Sequence, residues 1–99
     1  MPRPVLLFTG QWADLPLEEV AARASEWGYG GLELCTWGDH FEVQRAASDD
    51  DYTPAKLESL RRYGLDAPVL SAHRVSQAIC DAIDERHRTL VPDYVWGDG

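Results

Sequence analysis

Glu26-Trp27-Gly28-Tyr29-Gly30-Gly31-Leu32-Glu33-Leu34-Cys35-Thr36 packs a helix end, a turn and a strand into a few residues. Gly28 directly after an aromatic residue reads as a helix C-cap, because glycine takes the left-handed backbone there without a Cβ penalty. Gly30-Gly31 marks a turn, and Leu32 to Thr36 is short, apolar and flanked by turn residues, as a buried strand is. Upstream, Leu17, Val20, Ala21, Ala24 and Trp27 recur at helical spacing, which puts all five, Trp27 included, on one core-facing stripe. Pro16 suits the first helical position, and Glu18 and Glu19 favour the positive end of the helix dipole. Further upstream, residues 3–9 hold Val5-Leu6-Leu7-Phe8, an unbroken apolar run that fits a strand covered on both faces and ends at Thr9-Gly10.

Downstream the pattern repeats. Trp37-Gly38-Asp39-His40 is a turn, residues 41–47 suggest a short helical piece, and Asp49-Asp50-Asp51 reads as a solvated loop. Thr53 as N-cap and Pro54 at the first position open a second helix with Leu57 and Leu60 on its buried side, closed by Gly64. Ala67 to Ala72 is a third strand, with Pro68 tolerable only near its beginning, and His73 stands just past its end. Asp84 to Leu90 fits a short helix capped by Asp84 and stopped by Pro92, with His87 on a solvated, charged face. Tyr63-Gly64 echoes Trp27-Gly28 at a distance of 36 residues. Strand, helix and strand at that repeat mean βαβ units and a parallel sheet. The expected class is α/β, with residues 1–99 as the N-terminal portion of a (βα)8 barrel, its first two to three βα units. A complete barrel takes about 250 residues. The alternative is a small doubly wound sheet, which needs a fourth or fifth strand.

Composition narrows the partners. The chain of 99 residues and 11.1 kDa allows one domain. Seventeen acidic against nine basic residues give a net charge of −8, which argues against nucleic acid and against anionic lipid. No apolar run approaches a membrane span, and the short run after Arg3 is no signal-peptide core. Two cysteines make no disulfide framework, so reduced thiols and a cytoplasmic location are expected, with Cys35 as a buried strand thiol. Cys35 and Cys80 match no zinc spacing, no phosphate-cradling glycine loop opens a helix, and no Gly-x-Ser-x-Gly elbow occurs.

In a parallel α/β architecture the site lies beyond the C-terminal ends of the strands. That rule selects Thr9, Gly10, Gln11 and Trp12 after the first strand, Glu33, Thr36, Trp37, Asp39 and His40 at the second, and His73, Arg74 and Gln77 after the third. His73 has the chemistry to bind a metal or a substrate hydroxyl or to move a proton, and the plain alternative is a strand-end hydrogen bond to backbone. His40 beside Asp39 is either an oriented imidazole or part of a turn, and Glu33 either lines a polar site or forms a barrel-interior ion pair. Trp12 and Trp37 have the flat faces that stack on a sugar ring, or they pack under loops.

Leu7-Phe8-Thr9-Gly10-Gln11-Trp12, Glu26 to Leu34 and Trp37-Gly38-Asp39-His40-Phe41, with Gln77-Ala78-Ile79-Cys80-Asp81 and Ile83 to His87 in the tail, form a familiar set. Together they resemble the N-terminal third of sugar phosphate isomerase/epimerase proteins of the xylose isomerase-like barrel superfamily. That superfamily also contains the endonuclease IV type enzymes, a branch that the −8 charge disfavours. The resemblance covers nearly all 99 residues; Gly-Tyr-Gly-Gly-Leu-Glu-Leu is common to the superfamily and Trp-Gly-Asp-His-Phe more particular. It implies a (βα)8 barrel with a divalent metal ion (Mn, Mg, Co or Zn) at its mouth. The metal ligands and the two catalytic glutamates are implied to come mostly from later strands, outside this chain. It also implies proton transfer next to a carbonyl, a small-molecule sugar as partner, and substrate contacts by His73, Glu33 and His40. Trp12, Trp37 and Gln77 complete the candidate substrate-binding set, and the chain alone is expected to lack turnover. The rival reading is a non-catalytic α/β interaction domain that self-associates into a homo-oligomer to cover its open sheet edges.

Overall fold

Leu6–Phe8 (β1), Gly31–Cys35 (β2) and Asp66–Ser71 (β3) form one sheet in the order β1-β2-β3. Both pairings are parallel, as the βαβ repeat requires. A computed structural model describes residues 3–74, 76, 80 and 82–96. The helices are Leu17–Glu26 (α1), Val43–Ser48 (α2), Tyr52–Arg61 (α3) and Asp93–Trp96 (α4), with 3-10 turns at Gly10–Trp12 and Glu85–His87.

The core lies on one side of the sheet. Leu17, Ala21 and Ala24 of α1 and Tyr52 and Leu60 of α3 form one buried cluster with Leu32 and Leu34 of β2. Successive strand residues alternate faces, so Leu32 and Leu34 point to the helices while Glu33 points the other way. Leu6 pairs with Gly31 and Phe8 with Glu33, which puts Leu6, Phe8 and Glu33 on the face the helices leave open. Cα radius of gyration is 15.0 Å, above the roughly 13 Å of a compact chain this long.

Gly28 and Gly64 end α1 and the turn after α3 with φ of +90° and +72°, the left-handed geometry behind the repeated aromatic–glycine pair. A hydrogen bond from the Ser25 hydroxyl to the Tyr63 carbonyl at 2.7 Å ties the two helix ends together. Pro68 sits within β3 rather than at its first residue, and the ladder accommodates it. Between Gly31↔Asp66 and Glu33↔Val69 the register shifts, so three steps along β3 oppose two along β2. A bulge there spares the sheet a ladder bond that proline has no N–H to make.

Several local expectations are corrected. Pro16 is the N-cap of α1, with extended backbone, and Leu17 is the first helical residue. Helix α3 starts at Tyr52 with Asp51 as N-cap, which places Thr53 and Pro54 inside its first turn. Trp27 is 56% exposed and not in the core. It follows the last helical residue and stands at the edge of the apolar stripe, where no second layer covers it. His87 is buried rather than solvated, because its Nδ1 accepts the Asp84 backbone N–H at 3.1 Å. The Asp84 carboxylate in turn accepts the Arg86 N–H, a capping box with histidine in the usual place of Glu or Gln. Only a 3-10 turn, Glu85–His87, forms there, and α4 follows Pro92.

Candidate functional site

Beyond the C-terminal ends of the strands, three rings meet. Phe8 from β1, Trp37 after β2 and His73 after β3 have centroids 6.1 Å (Phe8–Trp37), 5.9 Å (Phe8–His73) and 6.4 Å (Trp37–His73) apart. Phe8 and His73 meet edge to face, a favoured aromatic geometry. His73 is exposed, Trp37 half-buried, and Glu33 lies half-buried beside Phe8 in the sheet. The structure therefore brings Trp37 and His73 together and sets Glu33 below them on the same open face. Phe8 is the member that sequence reasoning missed. Its pairing parity with Glu33 is the signal that finds it.

Trp12 and His40 are placed elsewhere. Trp12 packs at 6.4 Å from Trp27 and lines a cleft of about 220 Å³ on the outer side of α1 with Leu15, Val20 and Arg23. His40 is wholly buried, with every polar contact inside the protein. Its Nε2 lies 2.9 Å from the Leu15 carbonyl, which accepts only, so Nε2 carries the proton and Nδ1 accepts. The Thr9 hydroxyl, 2.8 Å from Nδ1, donates to it and accepts the Cys35 backbone N–H at 3.1 Å. Cys35 Sγ lies 3.4 Å from the same Nδ1 and 3.3 Å from the Trp37 carbonyl, which its S–H reaches. Every polar atom of this set is paired. Burial is the largest influence and pushes the Cys35 thiol up and the His40 imidazolium down, but the surrounding contacts together outweigh it (His40, Thr9 and the Trp37 carbonyl at Cys35; Cys35, the Leu15 carbonyl and the Asp39 charge at His40), so Cys35 titrates lower and His40 higher than usual. Cys35 is fully buried, as a strand thiol should be, and the pair is sealed from any ligand.

The neighbouring loop completes a clasp on the start of α1. The Leu17 backbone N–H donates to the Asp39 carboxylate at 3.2 Å, so a residue 22 positions away supplies the cap that Pro16 cannot. Gly38 takes φ +65°, and a Cβ there would stand 2.6 Å from the Ala13 carbonyl oxygen. Lys56 from α3 donates to the Asp39 carbonyl at 2.8 Å. Gly38, Asp39 and His40 are thus fixed by packing and hydrogen bonding against residues 13–17, and Trp37 alone of the four turns toward the strand-end rings.

Next to Trp37 opens a cavity of about 320 Å³, with Thr36, Trp37, Glu42, Arg45, Arg74 and Tyr94 in its wall. Arg74 belongs to the strand-end set that the sequence selects; Arg45 and Tyr94 come from α2 and α4, which that rule does not reach. The Ser71 hydroxyl at the end of β3 is buried with no hydrogen-bond partner among the described residues. Gln77 lies outside the described residues. Among the described residues no group of three or more His, Cys, Asp and Glu side chains is placed to hold a metal ion, so Glu33, His40 and His73 do not form a metal centre of their own. Among the described residues no helix is long and apolar enough to cross a membrane. No protein-family model matches the chain, and no curated protein matches it.

Proposed function

We propose that this chain forms the first two to three βα units of a xylose isomerase-like (βα)8 barrel that interconverts sugars or sugar phosphates by proton transfer next to a carbonyl. One observation carries the reading. Three parallel strands have both long helices on one face, while their C-terminal ends bring Phe8, Trp37 and His73 together on the other. A doubly wound sheet covers both faces, whereas a barrel keeps its helices outside and its site at the strand ends. In this reading Trp37 stacks on the sugar ring, His73 binds or orients a hydroxyl, and Glu33 accepts a hydrogen bond from below. The divalent metal of the reaction, held by side chains of later strands, polarises the carbonyl when bound. The residues of this chain bind and orient.

Titrating hexoses and pentoses into the labelled protein tests the reading, followed by the Trp37 indole and His73 ring signals. Shifts confined to Phe8, Trp37 and His73 support it. Shifts confined to Trp12 and Trp27, or none at all, refute it. A second reading, self-association without catalysis, is favoured by Val69 and Leu70 of β3, 42% and 48% exposed on opposite faces of an edge strand. Light scattering separates the two, since a defined oligomer without ligand supports the second.

A further inference from the structure

The cavity beside Trp37 holds two arginines, Arg45 and Arg74, in its wall. Five of the nine basic side chains of this acidic chain pair with a carboxylate. Arg23 pairs with Glu19, Arg45 with Glu42, Arg61 with Glu58, Arg86 with Asp84 and Arg88 with Glu85. Arg74 is exposed on the cavity wall, and among the described residues it makes no ion pair and no hydrogen bond. Arg3, Lys56 and Arg62 are also without a carboxylate partner among the described residues, but none of them lines this cavity. Arg45 lines the same space, with one guanidinium nitrogen 2.9 Å from Glu42 and its guanidinium carbon 4.8 Å from the centre of the Tyr52 ring. Against a molecular charge of −8, two arginines and one glutamate make the cavity locally positive. A guanidinium offers a fork of N–H donors that fits the paired oxygens of a phosphate or a carboxylate. A volume of about 320 Å³ is at the small end for ligand sites and suits one sugar-sized body.

We infer that Arg74 anchors an oxyanion subsite, so that the cavity takes a small organic ligand bearing a phosphate or carboxylate, with its body against the Trp37 ring. The carbohydrate nature of that body rests on the function proposed above, whereas the anionic group rests on Arg74 and its surroundings.

The test titrates four probes into the 99-residue protein: inorganic phosphate, a hexose 6-phosphate, a hexuronate and the uncharged hexose. Binding is read from the Trp37 indole and Arg74 Nε–H signals. The charged sugars bind at least about tenfold tighter than the neutral hexose, the worth of one charge-assisted hydrogen bond. Whichever of the 6-phosphate and the uronate binds tighter identifies the oxyanion. Arg74→Ala removes that advantage, Arg74→Lys keeps part of it, and Arg62→Ala leaves it unchanged. Because Arg74 is exposed, its variants keep the fold. Equal affinity for charged and neutral hexose, or equal affinity in wild type and Arg74→Ala, overturns the inference while leaving a carbohydrate reading in place. Inorganic phosphate shifting Arg74 with no gain from a sugar body supports the subsite and counts against the carbohydrate reading. No binding of any charged probe overturns the subsite.

Discussion

Replacing His40 with alanine removes the group that joins the end of β1, the end of β2 and the residues before α1. The ring is completely buried, and it pairs with the Leu15 carbonyl and the Thr9 hydroxyl at 2.9 and 2.8 Å. A buried polar atom left without its partner costs about 1–3 kcal/mol; here the Leu15 carbonyl loses its donor and the Thr9 hydroxyl loses its acceptor while keeping the Cys35 N–H. The space vacated by the ring adds a cavity term, and the expected total is about 3–5 kcal/mol. For a 99-residue domain, whose whole stability is on the order of 5–15 kcal/mol, that is a large share. Urea unfolding followed by circular dichroism measures it. With a slope of about 1–2 kcal/mol per molar, the midpoint falls by roughly 1.5 M or more. His73→Ala is the control. His73 is exposed, and its replacement stays within about 0.5 kcal/mol. A His40→Ala midpoint within about 0.5 M of wild type at unchanged slope, or an equal loss from His73→Ala, refutes the assignment of His40 to the scaffold.

Gly38→Ala meets both a left-handed backbone and a contact of 2.6 Å with the Ala13 oxygen, so it should cost about 2–3 kcal/mol in urea unfolding. Gly28→Ala, at φ +90° with open space around it, should cost only about 1 kcal/mol, and equal losses at the two sites would contradict the close approach of residue 38 to residue 13. A chromogenic thiol reagent should titrate exposed Cys80 at once and Cys35 only as the protein unfolds; two fast thiols would show that the Thr9–His40–Cys35 set is open to solvent. The Arg86 side chain, then its backbone N–H, hold the Asp84 carboxyl at about 2 against an ordinary 3.8. A depressed folded value stabilises above pH 3.8 and is lost as pH falls toward 2, so the amide signals of residues 85–87 should lose their folded shifts across that window. An unchanged spectrum down to pH 2 would disprove the cap.

The parallel sheet was legible because its signals are local and repeated: apolar runs ended by turn residues, and two aromatic–glycine helix ends 36 residues apart. Trp27 misleads because helical spacing specifies a stripe but not whether a neighbour covers its edge. His87 misleads because a charged neighbourhood suggests solvent, whereas one backbone N–H at 3.1 Å is enough to draw a ring inward. At the candidate site, the strand-end rule finds Trp37, His73, Glu33 and Arg74 without any motif. It does not distinguish His40 or Trp12, since the direction of a side chain in a loop depends on contacts with residues as distant as Thr9 and Leu15 from His40. Arg45 and Tyr94 reach the cavity from helices that have no place in the βαβ pattern.

The turn after β2 divides its labour between neighbouring positions. Residues 38–40 hold the entry to α1, and residue 37 meets whatever approaches the strand ends. A chain so arranged is free to try different rings at position 37 and different charges at position 74 while its frame stays put. Under the function proposed above, ligand preference in such a scaffold drifts by single substitutions, and the anchoring triplet next door keeps each trial foldable.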